Sequence, residues 1–166
     1  MNSIGSKLFS LLVIVLLGTL VYVTVFSGNG QAPDIRIKTA DNQSLNLSKP
    51  MKPVLVNFWA TTCPGCVSEM PHLAEMKKKF GDKFELVAVS MDYDPEDQVK
   101  KFMEKHNYAF SYIMDKTGSM AKAFGGVMLT PTSFLIAPNG NIVYQKVGEI
   151  DYATVTKKLE EMTPDL

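Results

Sequence analysis

VLVNFWATTCPGCVSEM, residues 54–70, is the stretch around which the rest of the chain is organised. It begins as a continuous apolar run, which is the pattern of a buried strand. A short polar turn then leads to Cys63-Pro64-Gly65-Cys66, and the sequence continues as a helix. The two cysteines of the chain therefore lie together at a junction between a strand and a helix.

The bulk composition favours one globular domain with a tail or an anchor, because the chain has 166 residues. It carries 17 basic and 17 acidic side chains. This balance argues against a nucleic-acid-binding protein, which would show a basic patch. Two cysteines that are separated by two residues close a very small loop, and such a loop adds little stability. Redox chemistry therefore explains the pair better than structural stapling does.

An uncharged stretch near the N-terminus, Leu8–Phe26, predicts a membrane anchor. As a helix with a rise of ~1.5 Å per residue, it nearly spans a hydrocarbon core of ~30 Å. The stretch is longer than the ~7–15 apolar residues of a signal peptide, so an uncleaved anchor is favoured over a cleaved signal. Lys7 precedes the stretch and favours a cytoplasmic N-terminus. We therefore expect cytoplasmic residues 1–7, a transmembrane helix at 8–26, a linker at 27–33 and an extracytoplasmic domain at 34–166, where disulfide chemistry is expected.

The remaining sequence alternates between strand and helix patterns. A small hairpin is predicted over residues 35–47, and a closing hairpin turns at Pro138-Asn139-Gly140. Strands are predicted at residues 54–59, 84–90, 110–114, 133–136 and 142–147. Helices are predicted at 64–80 and 151–162, from Asp94-Pro95-Glu96 to about residues 106–107, and from the turn at residues 117–118 to 124. This order predicts an α/β fold with central parallel strands, an antiparallel edge and helices on both faces.

The junction suggests thiol chemistry. A helix N-terminus stabilises negative charge, so Cys63 is expected to have a depressed pKa and to react as a thiolate. Cys66 follows one turn later and is placed to resolve a mixed disulfide formed on Cys63. Glu69 lies three residues beyond Cys66 on the same helix face. Its carboxylate is either the acceptor of the Cys66 proton or a solvated surface group, and spacing alone leaves both interpretations open.

Two segments resemble the signatures of the TlpA/ResA-like thioredoxin family. They are FWATTCPGCVSEMP (residues 58–71) and LTPTSFLIAPNGNIV (residues 129–143). The leading hairpin and the helix–strand insert between residues 95 and 115 also match the layout of that family. The resemblance implies a thioredoxin-like fold and a cis bond between Thr130 and Pro131 that faces the dithiol. In the family this segment pairs with the substrate backbone and keeps metals off the cysteines.

The resemblance also implies roles for individual residues. Glu69 falls on the acidic position that the family carries three residues after its second cysteine. Trp59, Pro64, Gly65, Thr130 and Pro131 are implied to form the substrate groove. Asn57 stands where thioredoxin itself has a buried aspartate, and an amide cannot act as a base, so Glu69 is the better candidate for proton transfer.

The implied function is reduction of protein disulfides outside the cytoplasm, with apocytochrome c as one client. The Pro64-Gly65 dipeptide lacks the histidine of strongly oxidising members, which favours a reductase or an intermediate potential. Electrons would come from a membrane dithiol donor, and no cofactor is expected. The first alternative is an oxidase or isomerase for secreted proteins.

Three further alternatives remain. The first is a copper- or zinc-binding protein of the same fold, for which Cys63, Cys66 and His72 offer three ligands, whereas a structural zinc site needs four. A peroxiredoxin would have threonine three residues before the reactive cysteine, where this chain has Ala60. A non-catalytic chaperone would use the same groove without disulfide exchange.

Overall fold

The central strand of the fold is the apolar run that begins at Val54. The computed structural model of the protein describes Val13, Leu16 and residues 30–39 and 42–164. Its elements in chain order are β1 (Arg36–Lys38), β2 (Ser44–Asn46), β3 (Val54–Trp59), α1 (Pro64–Phe80), a 3-10 turn (Gly81–Lys83), β4 (Glu85–Ser90), α2 (Glu96–His106), β5 (Ser111–Met114), α3 (Ser119–Ala123), β6 (Thr132–Ile136), β7 (Ile142–Val147) and α4 (Tyr152–Met162).

Five strands form the main sheet, in the order β5-β4-β3-β6-β7. Strands β3, β4 and β5 are parallel, whereas β6 and β7 are antiparallel to their neighbours. Strands β1 and β2 form a separate antiparallel hairpin. The predicted arrangement of central parallel strands, an antiparallel edge and a leading hairpin is therefore confirmed. Strand β3 lies in the middle and is paired along its whole length on one side.

The two faces of β3 pack against different elements, because alternate side chains of a strand point to opposite faces. Leu55 and Trp59 pack with buried residues of α1, α2 and α4. Val56 and Phe58 pack with buried residues of α3 and of the β1–β2 hairpin. Helices therefore cover both faces, as predicted. Helix α1, which has the dithiol at its N-terminus, packs on the face formed by Leu55 and Trp59.

Helix α1 begins and ends where the sequence indicates. Cys63 is its N-cap and Pro64 its first residue, a position where the fixed φ of proline is compatible with the helix. The helix ends at Phe80, and Gly81 follows with a φ of 54° while its N–H donates to the carbonyl of Lys77. A positive φ favours glycine, which explains why the helix stops there.

The chain divides into two units, residues 1–30 and 31–166. Val13 and Leu16 of the first unit are helical. No helix within the described residues is long and apolar enough to cross a bilayer. Apart from Val13 and Leu16, the predicted anchor Leu8–Phe26 lies outside the described residues, as do residues 1–7 and the first part of the linker.

Candidate active site

The two cysteines form a disulfide at the N-terminus of α1, with their Cα atoms 5.2 Å apart. The Cys63 sulfur accepts a hydrogen bond from the backbone N–H of Cys66 at 3.2 Å. Unpaired N–H groups and the helix dipole favour negative charge at this position. The same N–H is thus placed to stabilise a Cys63 thiolate once the disulfide is reduced.

The two sulfurs differ in exposure. Cys66 is buried, with 1% of its surface exposed, whereas Cys63 is only half-buried. A large substrate therefore reaches Cys63 directly, and Cys66 becomes reachable only through a bond already made to Cys63. The order of attack at Cys63 and resolution by Cys66 stays a prediction.

The loop before Cys63 is held by a carboxylate from a distant segment. Asp94, just before α2, accepts hydrogen bonds from the Thr61 backbone N–H at 2.6 Å and from the Thr61 hydroxyl at 2.5 Å. Asp94 is buried, so these bonds fix the loop from the interior of the domain. Sequence reasoning treated Asp94 only as the start of a helix and missed this role.

The bond between Thr130 and Pro131 is cis, as the resemblance implied. The Thr130 carbonyl oxygen lies 3.6 Å from the Cys63 sulfur, so this segment faces the disulfide. A disulfide sulfur carries no hydrogen, and the contact is therefore not a hydrogen bond in this state. The segment is anchored at both ends, because the Thr132 hydroxyl donates to the Leu129 carbonyl and the Gly148 N–H donates to the Pro131 carbonyl.

Glu69 lies on α1 three residues after Cys66 and is buried, with 2% of its surface exposed. Its Oε1 accepts from the Ile150 backbone N–H at 2.6 Å, and its Oε2 accepts from the Asn57 side-chain amide at 3.0 Å. The interpretation of Glu69 as a solvated surface group is therefore wrong. Burial raises the pKa of Glu69, and the hydrogen bonds from Ile150 and Asn57 partly oppose this rise.

Gly65 lies close to Pro131, which is buried, whereas Pro64 is exposed. A Cβ atom on Gly65 would lie 3.6 Å from Oε1 of Glu149 and 4.0 Å from Cδ of Pro131. Glu149 therefore brings an exposed carboxylate close to Gly65, between the two cysteines in sequence, and it also raises the pKa of Glu69. Sequence reasoning did not identify Glu149, because it lies in a loop without a motif.

Trp59 lies inside the domain, where its side chain is fully buried and packs on Phe102 with ring centroids 5.1 Å apart. It can shape the groove only from below, through packing. The exposed apolar side chains beside Thr130 are instead Tyr93, Met128 and Leu129, which are 56%, 84% and 65% exposed. The Tyr93 hydroxyl lies 3.4 Å from the Thr130 hydroxyl.

His72, the third ligand of the metal-binding alternative, packs on Tyr152 with ring centroids 5.3 Å apart. Within residues 30–39 and 42–164, no group of three or more His, Cys, Asp or Glu side chains is arranged to hold a metal ion.

Comparisons with known proteins place these features in a family. The Redoxin family profile matches residues 28–161. Thioredoxin-like protein YneN of Bacillus subtilis is 35% identical over 139 residues, which cover 82% of this chain and 78% of that protein. Thiol-disulfide oxidoreductase ResA of Bacillus cereus is 28% identical, and the match covers 95% of this chain and 96% of that protein.

A crystal structure of a thiol:disulfide interchange protein of the thioredoxin family from Chlorobium tepidum is also similar. It has a TM-score of 0.67 and 27% identity, and the match covers 81% of this chain and 96% of that one. The domain formed by the five-stranded sheet and its helices therefore has a thioredoxin-like fold.

Proposed function

Because this chain belongs to the Redoxin family and is a thiol–disulfide oxidoreductase of the ResA/thioredoxin type, we propose that it reduces protein disulfides outside the cytoplasm. The observation that carries the proposal is the unequal pair at the start of α1. Cys63 is half-buried at the helix N-terminus, whereas Cys66 is 1% exposed behind it. A large disulfide substrate can therefore react at Cys63, and Cys66 is kept to release the substrate from the mixed disulfide.

The reaction starts from the reduced dithiol. The Cys63 thiolate attacks one sulfur of the substrate disulfide, which forms a mixed disulfide and releases the first substrate thiolate. Cys66 then loses its proton and attacks the Cys63 sulfur, which releases the second substrate thiolate. The substrate gains two electrons, and the enzyme is left with the Cys63–Cys66 disulfide.

Glu69 is proposed to take the proton of Cys66 in the second step. Its carboxylate is buried on the helix that carries the dithiol, and this burial raises its pKa. A raised pKa brings a carboxylate closer to the operating pH, which is what efficient proton transfer requires.

The substrate groove is proposed to lie between the Cys-Pro-Gly-Cys turn and the segment with the cis bond. Pro64 and Gly65 form one wall, and Thr130 and Pro131 form the other. The short distance between the Thr130 carbonyl and the Cys63 sulfur supports this placement. Trp59 supports the groove from below by packing.

The proposal also covers the cellular location of the domain and its partners. Leu8–Phe26 is proposed to anchor the domain in the cytoplasmic membrane, with residues 1–7 inside and residues 34–166 outside. After each turnover the Cys63–Cys66 disulfide has to be reduced again, and a membrane dithiol donor is the proposed source of electrons. Apocytochrome c before haem attachment is the proposed client.

The redox state of the dithiol in cells tests the direction of the reaction. Thiols are trapped by alkylation in acid-quenched cells, and the modified forms are separated by mass. A mostly reduced pair supports the reductase, and deletion of the electron donor should then shift it to the oxidised form. A mostly oxidised pair would instead favour an oxidase or isomerase for secreted proteins.

A further inference from the structure

We propose that Asn57 is a positioning residue whose side-chain amide follows the protonation state of Glu69. In this view the amide presents its Nδ2 donor to the ionised carboxylate and its Oδ1 acceptor to the protonated acid. The catalytic consequence rests on the proposed role of Glu69 as proton acceptor. The coupling between the two side chains does not depend on that role.

Asn57 lies at the centre of the sheet, with 1% of its surface exposed. Its strand is flanked by β4 and β6, and Asn57 is in register with Ser133 of β6. Polar side chains are rarely buried at such a position unless their hydrogen bonds are satisfied. The contacts of this amide therefore require an explanation.

Only one end of the amide has partners. Nδ2 lies 3.0 Å from Oε2 of Glu69 and 2.9 Å from Oγ of Ser133, so its two hydrogens can be donated to these two oxygens. Within the described part of the chain, Oδ1 of Asn57 is buried without a hydrogen-bond partner. A buried carbonyl without a partner is unfavourable. The two hydrogen bonds that Nδ2 donates offset this cost.

Protonation of Glu69 reverses the preference of the amide. A proton on Oε2 makes that atom a donor, which then faces the Nδ2 donor of Asn57. A half-turn about the Cβ–Cγ bond of Asn57 brings Oδ1 to the position of Nδ2, where it accepts from Glu69. The Ser133 hydroxyl can donate as well as accept, so it remains bonded in both states.

The other side of Glu69 stays unchanged during this exchange, because Oε1 continues to accept from the Ile150 N–H. An aspartate at position 57 could only accept, and a leucine could do neither. The amide can donate to the ionised carboxylate or accept from the protonated acid, at nearly constant volume. This explains why a buried amide is suited to the position next to a proton acceptor.

Other groups face Glu69 from the surrounding elements. They are Glu149 after β7, His72 on α1, Tyr144 on β7 and Tyr152 on α4. Glu149 raises the pKa of Glu69, and His72 lowers it. Both act through their charge and would shift the midpoint of a titration, whereas Asn57 contacts the carboxylate and would report on its state.

The first test uses the wild-type chain. The Glu69 carboxyl carbon and the Asn57 side-chain nitrogen are followed by nuclear magnetic resonance as the pH is varied. We expect both signals to titrate with one common midpoint. The proposal is overturned if the Asn57 signal stays constant while Glu69 titrates.

The second test compares Asn57→Leu with the matched control Ser133→Ala, which removes the other partner of the same amide. Asn57→Leu deletes a hydrogen bond to the ionised group, so it should raise the pKa of Glu69 by about one pH unit. Ser133→Ala should change it by less than about 0.3 of a unit, because the contact with Glu69 is retained. Equal shifts in the two variants would overturn the proposal, and the wild-type titration decides if a variant does not fold.

The same experiments separate this inference from the proposed function. If Glu69→Gln reduces disulfides as fast as the wild type while Asn57 and Glu69 titrate together, the proton-transfer role fails and the coupling stands. If Glu69→Gln is impaired and the two side chains titrate independently, the coupling fails and the proton-transfer role stands.

Discussion

The two faces of β3 differ in a way that separates stability from chemistry. The face towards α3 is apolar, and Phe58, Phe124 and Phe134 pack there with ring centroids 4.9 to 6.0 Å apart. The face towards α1 buries Asn57 and Glu69 among its apolar side chains. Burial of polar groups is costly, and Asn57 and Glu69 place such a buried polar pair on the face that carries the dithiol.

The largest effect is expected when the chemistry of the dithiol face is removed without a change in packing. Cys63→Ser should lower the rate of disulfide reduction by about a thousandfold or more, because a hydroxyl does not exchange with a disulfide. Turnover of a peptide disulfide measures this loss. Cys66→Ser is the control, since it should still attack and accumulate a mixed disulfide that mass spectrometry detects. Substantial turnover by Cys63→Ser would contradict the mechanism.

Phe58→Ala disrupts the packing of the apolar face of β3. This substitution should lower the free energy of unfolding by about 3–5 kcal/mol, because it removes a fully buried ring from a packed cluster. Denaturant unfolding measures the loss, and Phe58→Leu should lose less. The rate of reduction per folded molecule should stay within about twofold of the wild type, because Phe58 packs in the apolar cluster on the other face of β3 from Cys66. A large drop in that rate would show that the two faces are not separate.

On the dithiol face, Glu69→Gln keeps the shape and removes the base. We expect the resolution step, in which Cys66 attacks the mixed disulfide, to slow by about a hundredfold. Rapid acid quenching of a single turnover measures this step. Glu149→Gln is the matched control, because it removes an exposed carboxylate near the same turn. Equal slowing in both variants would indicate a general charge effect instead of proton transfer.

The smallest effect concerns the pH dependence of stability. The pKa of Glu69 is higher in the folded state than in the unfolded chain, so between these two values the folded state binds more protons. The free energy of unfolding should therefore fall as the pH rises through this window. Urea unfolding at pH values across the window, compared between the wild type and Glu69→Gln, isolates this contribution. Parallel curves for the two proteins would contradict it.

Much of the fold could be predicted, because strands buried on both faces are written as continuous apolar runs. The position of Cys63 at a helix N-terminus was also readable, since Pro64 marks the first turn. The hydrogen-bond partners of Glu69 could not be predicted from the sequence. One is the backbone N–H of Ile150, and every residue except proline offers such a group. The contact between Asp94 and Thr61 was missed for a similar reason, because the approach of two distant loops leaves no local pattern.

The bond from the Ile150 N–H to Glu69 joins residues 81 positions apart in the chain. During synthesis at roughly 5–20 residues per second, Ile150 leaves the ribosome about 4–16 s after Glu69. Cys63 and Cys66 therefore emerge well before the strand and loop that complete their surroundings. A chain that is truncated before Ile150 would carry the dithiol and its acid without the amide that orients the acid.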